Sequence, residues 1–391
     1  MFIFVLLFGT ILSLSSLHWL MIWVGLEINL MGFIPILVYR GITQESESGM
    51  KYFIVQAVGS GMVMAGSLYS FKSALSWEIL QDGGYLLGLS VLVAGLMMKL
   101  GSFPFHFWLP SVMAGMSWFG CLILTTWQKV APMLLISALM HMWFIGSVWG
   151  KIMIIFASLG SLVGGVGGLN QTQLRALLAY SSIGHIGWML FSSLINESVL
   201  KVYFLIYFII SVCVFMVLWW FEKSNYLQLS SLSVGSSKIF QVCLIFMLLS
   251  LGGMPPFLGF VGKWLAIWSC CELQVPFSVS FLLMGSLISL FYYLSLLFTV
   301  SFISAGNLIC SNNLHGSFNL GLLSGSSNSD LVNSNILGSF SINSESGTIT
   351  GSKKSIFRIG MMGVWLLNVI FLLNLIGGVF IFLSIPFSEF L

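Results

Sequence analysis

Charge is what this sequence has least of. Only 6% of its 391 residues are Asp, Glu, Lys or Arg, where a soluble domain carries about a quarter, so an ordinary water-facing surface is excluded. The net charge of +3 is small and dispersed, and no basic run exceeds Lys353-Lys354, which excludes nucleic acid as a partner. Six cysteines, Cys121, Cys213, Cys243, Cys270, Cys271 and Cys310, have no C-x-x-C spacing. Most fall within apolar segments, where a thiol acts as a small hydrophobe, so neither a disulfide framework nor a metal site is expected. No G-x-G-x-x-G fingerprint occurs, and no cysteine spacing suits an iron-sulfur cluster, so no redox cofactor is expected on this chain. The short apolar-polar alternation of a membrane β-barrel is also missing.

What remains is apolar length. Hydrophobic residues make up 58% of the chain and the mean hydropathy is +1.04, the composition of a polytopic membrane protein. A spanning helix needs about 20 apolar residues, and dividing the chain by such segments and their loops predicts an all-α fold of roughly ten or eleven transmembrane helices. The start of the chain opens directly into an apolar stretch without a basic leader, so it reads as a retained first span. Residues 1–300 hold most of the spans, residues 301–356 read as a Ser-, Asn- and Gly-rich extramembrane loop, and residues 357–391 carry a last transmembrane helix. Phe, Gly, Trp and Met are abundant while Pro and His are scarce. That bias suits a mitochondrial gene, in which UGA read as Trp and AUA read as Met raise both counts.

Against this background four charges stand out: Glu27, Lys99, Lys129 and Lys263 lie inside spans. An ionisable residue at the centre of a membrane helix costs roughly 2.5 to 3.5 kcal/mol, so such residues normally face a protein or water-filled interior and mark an ion or proton path. Lysine suits proton exchange because desolvation disfavours its charged form, whereas arginine stays protonated. His185 and His106 are weaker candidates for a proton relay, and His141 weaker still, because a histidine in an apolar helix is often a hydrogen-bonded core residue. The prolines cluster at two interruptions. Pro104 and Pro110 follow Lys99, and Leu251-Gly-Gly-Met-Pro-Pro-Phe257 precedes Lys263. Two broken spans, one in each half and each beside a lysine, are the sequence sign of a transporter built from inverted repeats. Gly160, Gly164 and Gly168 lay a small-residue ridge on the sixth span, which reads as a packing face.

Five segments carry a resemblance. Trp23-Val-Gly-Leu-Glu-Ile-Asn29, Lys99-Leu-Gly-Ser-Phe-Pro-Phe-His-Phe-Trp-Leu-Pro110, Thr126-Trp-Gln-Lys-Val-Ala-Pro132, Tyr180-Ser-Ser-Ile-Gly-His-Ile-Gly-Trp188 and Leu251-Gly-Gly-Met-Pro-Pro-Phe-Leu-Gly-Phe260 with Lys263 resemble, in order, the signatures of the subunit 2 family of mitochondrial NADH:ubiquinone oxidoreductase, respiratory complex I. The resemblance implies an antiporter-like fold of two inverted five-helix repeats with two broken helices. It implies that Glu27 is an ion-pairing glutamate, Lys99 its partner on the first broken helix, Lys129 the central lysine, Lys263 the lysine of the second broken helix, and His185 a polar position on the central axis. Residues after 300 carry no matching motif.

By the same resemblance, NADH, FMN, iron-sulfur clusters and ubiquinone are bound by partner subunits. The expected partners are other membrane-arm subunits, including the neighbouring antiporter-like subunit 4 and the small subunit 4L, and lipid of the mitochondrial inner membrane. The rival readings are a stand-alone cation/proton antiporter using the same lysines, and a structural spacer of the membrane arm.

Overall fold

Runs of apolar residues leave a membrane-embedded backbone one inexpensive conformation, the helix, which satisfies its own N–H and C=O groups. The computed structural model follows that rule. It describes residues 1–71, 86–140, 148–221, 224–225, 237–255, 257–270 and 276–320, with positions 374, 377 and 378. Among these the chain is helical throughout, with a single isolated bridge between Gln173 and Asn225. The helices are α1 (Phe2–Ser15), α2 (Trp19–Val38), α3 (Thr43–Phe71), α4 (Leu86–Leu100), α5 (Trp108–Gly115), α6 (Trp118–Thr125), α7 (Val130–Leu139), α8 (Val148–Gly168), α9 (Leu174–Ile195), α10 (Glu197–Phe221), α11 (Ser237–Gly252), α12 (Leu258–Cys270) and α13 (Pro276–Leu320). Among the described residues seven segments are long and apolar enough to cross a membrane, counting α6 and α7 as one, and the shorter apolar helices α1, α4, α11 and α12 add to them.

Both expected breaks are present and share one local chemistry. Helix α4 ends in a left-handed glycine, Gly101 at φ +71°, with Ser102 N–H bonded to the Met97 carbonyl at 3.2 Å and Gly101 N–H to Met98 at 3.2 Å. Helix α11 ends the same way at Gly253, φ +79°, with Met254 N–H bonded to the Leu249 carbonyl at 3.3 Å and Gly253 N–H to Ser250 at 3.1 Å. This is the Schellman closure, which needs a residue free to adopt positive φ. The prolines after each glycine prevent resumption of the same helix, and the chain restarts as α5 and α12.

A third interruption is not anticipated by apolar length alone. The apolar stretch around Lys129 is divided into α6, a 3-10 turn at Trp127–Lys129, and α7. Pro132 offers no N–H to the Gln128 carbonyl four residues earlier. The Thr125 and Thr126 hydroxyls turn back to the Cys121 and Leu122 carbonyls at 2.9 and 2.6 Å.

The glycine ridge packs as expected. A Cβ at Gly164 would lie 2.5 Å from the Gly184 backbone of α9, so α8 and α9 touch backbone to backbone. Gly165 meets Gly285 of α13 on the adjoining side, where an added Cβ would lie 2.8 Å from the Gly285 carbonyl. At the far end, α13 continues to Leu320. Residues 301–320, assigned above to the loop, are therefore helical; extending an established helix costs far less than nucleating one, and composition alone does not register that difference. The rest of the 301–356 stretch lies outside the described residues. Of the last span only positions 374, 377 and 378 are described, and Asn374 Nδ2 lies 3.3 Å from Met247 Sδ of α11.

Candidate functional site

The breaks decide where the charges sit. Lys129 closes the 3-10 turn between α6 and α7, is 2% exposed, and donates from Nζ to Tyr207 Oη at 3.2 Å. Its ammonium also lies 5.1 Å from the centre of the Tyr207 ring, an arrangement in which ring electrons partly replace lost solvent. The Tyr207 ring lies 5.1 Å from that of His185 on α9, and His185 Nδ1 is 3.0 Å from Tyr203 Oη. Tyr203 and Tyr207 stand one turn apart on α10, so one helix face serves both sides of the histidine.

Lys263 approaches the same histidine from α12. Its Nζ donates to the Gly252 carbonyl at 2.8 Å, one of the carbonyls that the end of α11 leaves without an intrahelical partner. A cation there is favoured by the dipole of the half-helix. Gly253 makes the approach possible twice over: its φ is positive, and a Cβ would lie 2.9 Å from the Lys263 ammonium. The charges of Lys129 and Lys263 both act on His185. The structure therefore joins Lys129, Tyr207, His185 and Tyr203 by direct contacts and places Lys263 beside His185 in the lining of one cavity.

Glu27 and Lys99 form the other end. Lys99 occupies the last turn of α4 and is 8% exposed, and its backbone carbonyl accepts from Gln56 Nε2 of α3 at 3.3 Å. Glu27, half-buried on α2, acts electrostatically on Lys99 and on Tyr52. The two do not close a contact, for among the described residues the ion pairs within 4.0 Å are Lys51 with Glu47 and Lys201 with Glu197. One oxygen of Glu27 is shielded from solvent without a hydrogen-bond partner. Two residues further on, Asn29 Oδ1 accepts from Gln128 Nε2 at 3.0 Å, tying the Glu27 helix to the turn that holds Lys129.

His106 stays apart from these groups in its contacts. Its Nδ1 is 3.2 Å from the Pro104 carbonyl and its ring rests on those of Phe103 and Phe107, so it stabilises its own break. His141 lies outside the described residues. The residues that charge-hunting overlooks are the tyrosines and amides: Tyr203, Tyr207, Gln56 and Gln128. A tyrosine pair at i and i+4 in an otherwise apolar helix is the available signal, because a phenol hydroxyl in a membrane interior needs a partner. Cys121, Cys213, Cys243 and Cys270 are buried free thiols, and no metal-binding group of His, Cys, Asp and Glu occurs among the described residues.

Broken membrane helices with lysines at their breaks and joined by a polar interior define the antiporter class of membrane domain. The sequence matches the family described as NADH:quinone oxidoreductase/Mrp antiporter, TM, over residues 16–289. Within that class, NADH-ubiquinone oxidoreductase chain 2 of Locusta migratoria is 38% identical over 303 residues, covering 76% of this chain and 84% of that protein. The chain belongs to the NADH-ubiquinone oxidoreductase chain 2 family. Among solved structures, a chain of respiratory complex I from Thermus thermophilus matches with a TM-score of 0.69 and 27% identity, covering 76% of this chain and 69% of that one. A chain of the Mrp complex from Dietzia shares the fold, with a TM-score of 0.69 at 18% identity over 75% of this chain and 59% of that one.

Proposed function

We propose that this chain is a membrane-arm subunit of mitochondrial respiratory complex I, and that it takes part in proton translocation along the axis Glu27, Lys99, Lys129, His185 and Lys263. NADH oxidation and ubiquinone reduction take place on partner subunits, which hold the FMN, the iron-sulfur clusters and the quinone. The chain lies in the inner membrane beside the antiporter-like subunit 4 and the small subunit 4L. Exposed apolar side chains on α1 and α13, among them Phe4, Phe8, Phe277 and Phe291, suit contact with lipid or with those neighbours.

The observation that carries this reading is the row from Lys129 through Tyr207 and His185 to Lys263. Lys129 bonds the Tyr207 hydroxyl, the Tyr207 ring lies 5.1 Å from that of His185, and His185 and Lys263 line one small cavity, so proton-bearing groups follow one another along this row. Protonating one lysine raises the electrostatic cost of protonating the histidine between them, so charge at one break is felt at the other. The Glu27 carboxylate, with one oxygen shielded and without a hydrogen-bond partner, senses charge at Lys99. His106 serves structure at the first break.

The test is proton pumping by the assembled complex in sealed vesicles. Lys129→Met is expected to abolish NADH-driven acidification. Lys129→Arg, which keeps the charge but cannot release a proton at working pH, is expected to fail as completely. Normal pumping by a fully assembled Lys129→Met complex would leave the spacer reading in its place. The rival reading is a stand-alone antiporter, and co-purification with NADH-oxidising subunits decides between the two.

A further inference from the structure

Two cavities adjoin where α2 ends, α9 begins and α10 ends, one charged and one apolar. The charged recess, about 200 Å³, is lined by Arg40, Gln44, Glu45, Ser117, Trp118 and Arg175. Its neighbour, about 370 Å³, is lined mainly by apolar side chains, among them Phe2, Ile3, Pro35, Ile36 and Phe119. Arg40, Glu45, Ser117 and Trp219 border both. A charged recess that continues into an apolar groove at the ends of membrane helices matches an amphiphile whose headgroup sits at the interface.

The charges in the recess do not pair with one another. Glu45, in the first turn of α3, is 5% exposed, and one of its carboxylate oxygens is shielded from solvent without a hydrogen bond. The ion pairs among the described residues, Lys51 with Glu47 and Lys201 with Glu197, involve neither Glu45 nor the two arginines. Arg175, in the first turn of α9, donates from Nη1 to the Met116 carbonyl, and its guanidinium lies 5.1 Å from the centre of the Trp118 ring. It is thus held in place with donors to spare. Arg40 follows the end of α2 and is exposed.

A carboxylate buried this deeply is costly without a cation, and guanidinium groups bordering one recess suit the several oxygens of a phosphate. A simple anion would satisfy the arginines and be repelled by Glu45. A headgroup carrying both a phosphate and a primary ammonium answers all three, whereas a quaternary ammonium has no N–H to give the carboxylate.

We propose that this recess binds a zwitterionic phospholipid with a primary-amine headgroup, of the phosphatidylethanolamine class. Arg40 and Arg175 hold the phosphate, the Glu45 carboxylate accepts from the ammonium, and an acyl chain lies in the groove beside Phe2, Ile3, Ile36 and Phe119. The site shares no group with the proposed proton axis, so its test stands apart from that reading.

The experiment is photolabelling of the assembled complex in phosphatidylcholine vesicles. These carry a trace of phosphatidylethanolamine or of phosphatidylcholine bearing a diazirine on one acyl chain, and labelled residues are located by peptide mass spectrometry. The ethanolamine probe is expected to label the groove on the order of 10-fold more than the choline probe, the difference that one charge-assisted hydrogen bond makes. Glu45→Gln should remove that preference, and Arg40→Gln should weaken labelling by both probes. Absent or equal labelling of the groove in the parental complex would mean ordinary surrounding lipid and would overturn the proposal. Stronger labelling by a phosphatidylglycerol probe would overturn it in favour of a plain anion site, and displacement of the label by free phosphoethanolamine in favour of a small water-soluble ligand. The comparison of probes in the parental complex needs no variant, so it decides the question even if a substitution prevents assembly.

Discussion

At the scale of single residues, the cost of burying charge is reduced by very local arrangements. Lys263 is bonded to a carbonyl freed by the end of a half-helix, Lys129 is bonded to a phenol hydroxyl and lies near the face of the same ring, and among the described residues neither forms an ion pair. Serine follows the same logic in milder form, since the buried hydroxyls of Ser137, Ser158, Ser182 and Ser192 each bond the carbonyl three residues back and need nothing from a neighbouring helix. Glycine is the residue on which the second break depends. Gly253→Ala combines a left-handed φ with a Cβ 2.9 Å from the Lys263 ammonium. Strain at such a position costs of order 1 to 3 kcal/mol. The expected outcome is a lower thermal stability of the complex, with pumping reduced further than that loss of stability explains because the lysine is displaced. Melting curves and pumping measured on the same preparation check this. Lys263 itself was legible from sequence because charge in an apolar run is conspicuous; Tyr203 and Tyr207 were not, because a tyrosine in a membrane helix is equally at home in an aromatic belt.

At the scale of helices, the breaks are the organising feature. Two were legible from proline and glycine together, and the shared Schellman geometry explains why each places a glycine, Gly101 or Gly253, before its prolines. The third, at Lys129, carried a weaker signal, one proline with two threonines before it. Its effect is to end α6 early and aim Lys129 across to α10. Pro132→Ala returns an N–H that can bond the Gln128 carbonyl and let α6 and α7 join. The expected result is a stability change within about 1 kcal/mol, together with a clear fall in pumping as Lys129 turns away from Tyr207. Parental pumping in that variant would mean that the threonine hydroxyls hold the turn without the proline. The glycine ridge of α8 was read as packing, and packing it is, with Gly164 against Gly184 and Gly168 against the ring of Tyr292.

At the scale of the whole molecule, charge is sorted by depth. The direct ion pairs among the described residues are Lys51 with Glu47 and Lys201 with Glu197, each one helical turn apart and largely solvent-facing, and exposed pairs of this kind contribute about 0 to 1 kcal/mol. Glu197→Gln is accordingly expected to leave assembly and pumping at parental levels and to move the melting temperature little, whereas neutralising Lys129 is expected to abolish pumping; the two variants assayed side by side separate surface charge from the proposed buried axis. Composition by itself determined that the chain is a helical membrane protein, because an uncharged, apolar backbone has no other way to satisfy its hydrogen bonds in lipid. The buried lysines and paired breaks also marked the candidate site in advance. Only the tertiary structure decided which groups connect those lysines, since Tyr203 and Tyr207 come from α10, His185 from α9 and Lys263 from α12, and their meeting depends on how closely α8, α9, α10, α12 and α13 pack. Helix periodicity says which face of a helix a residue occupies, but not which other helix that face will meet.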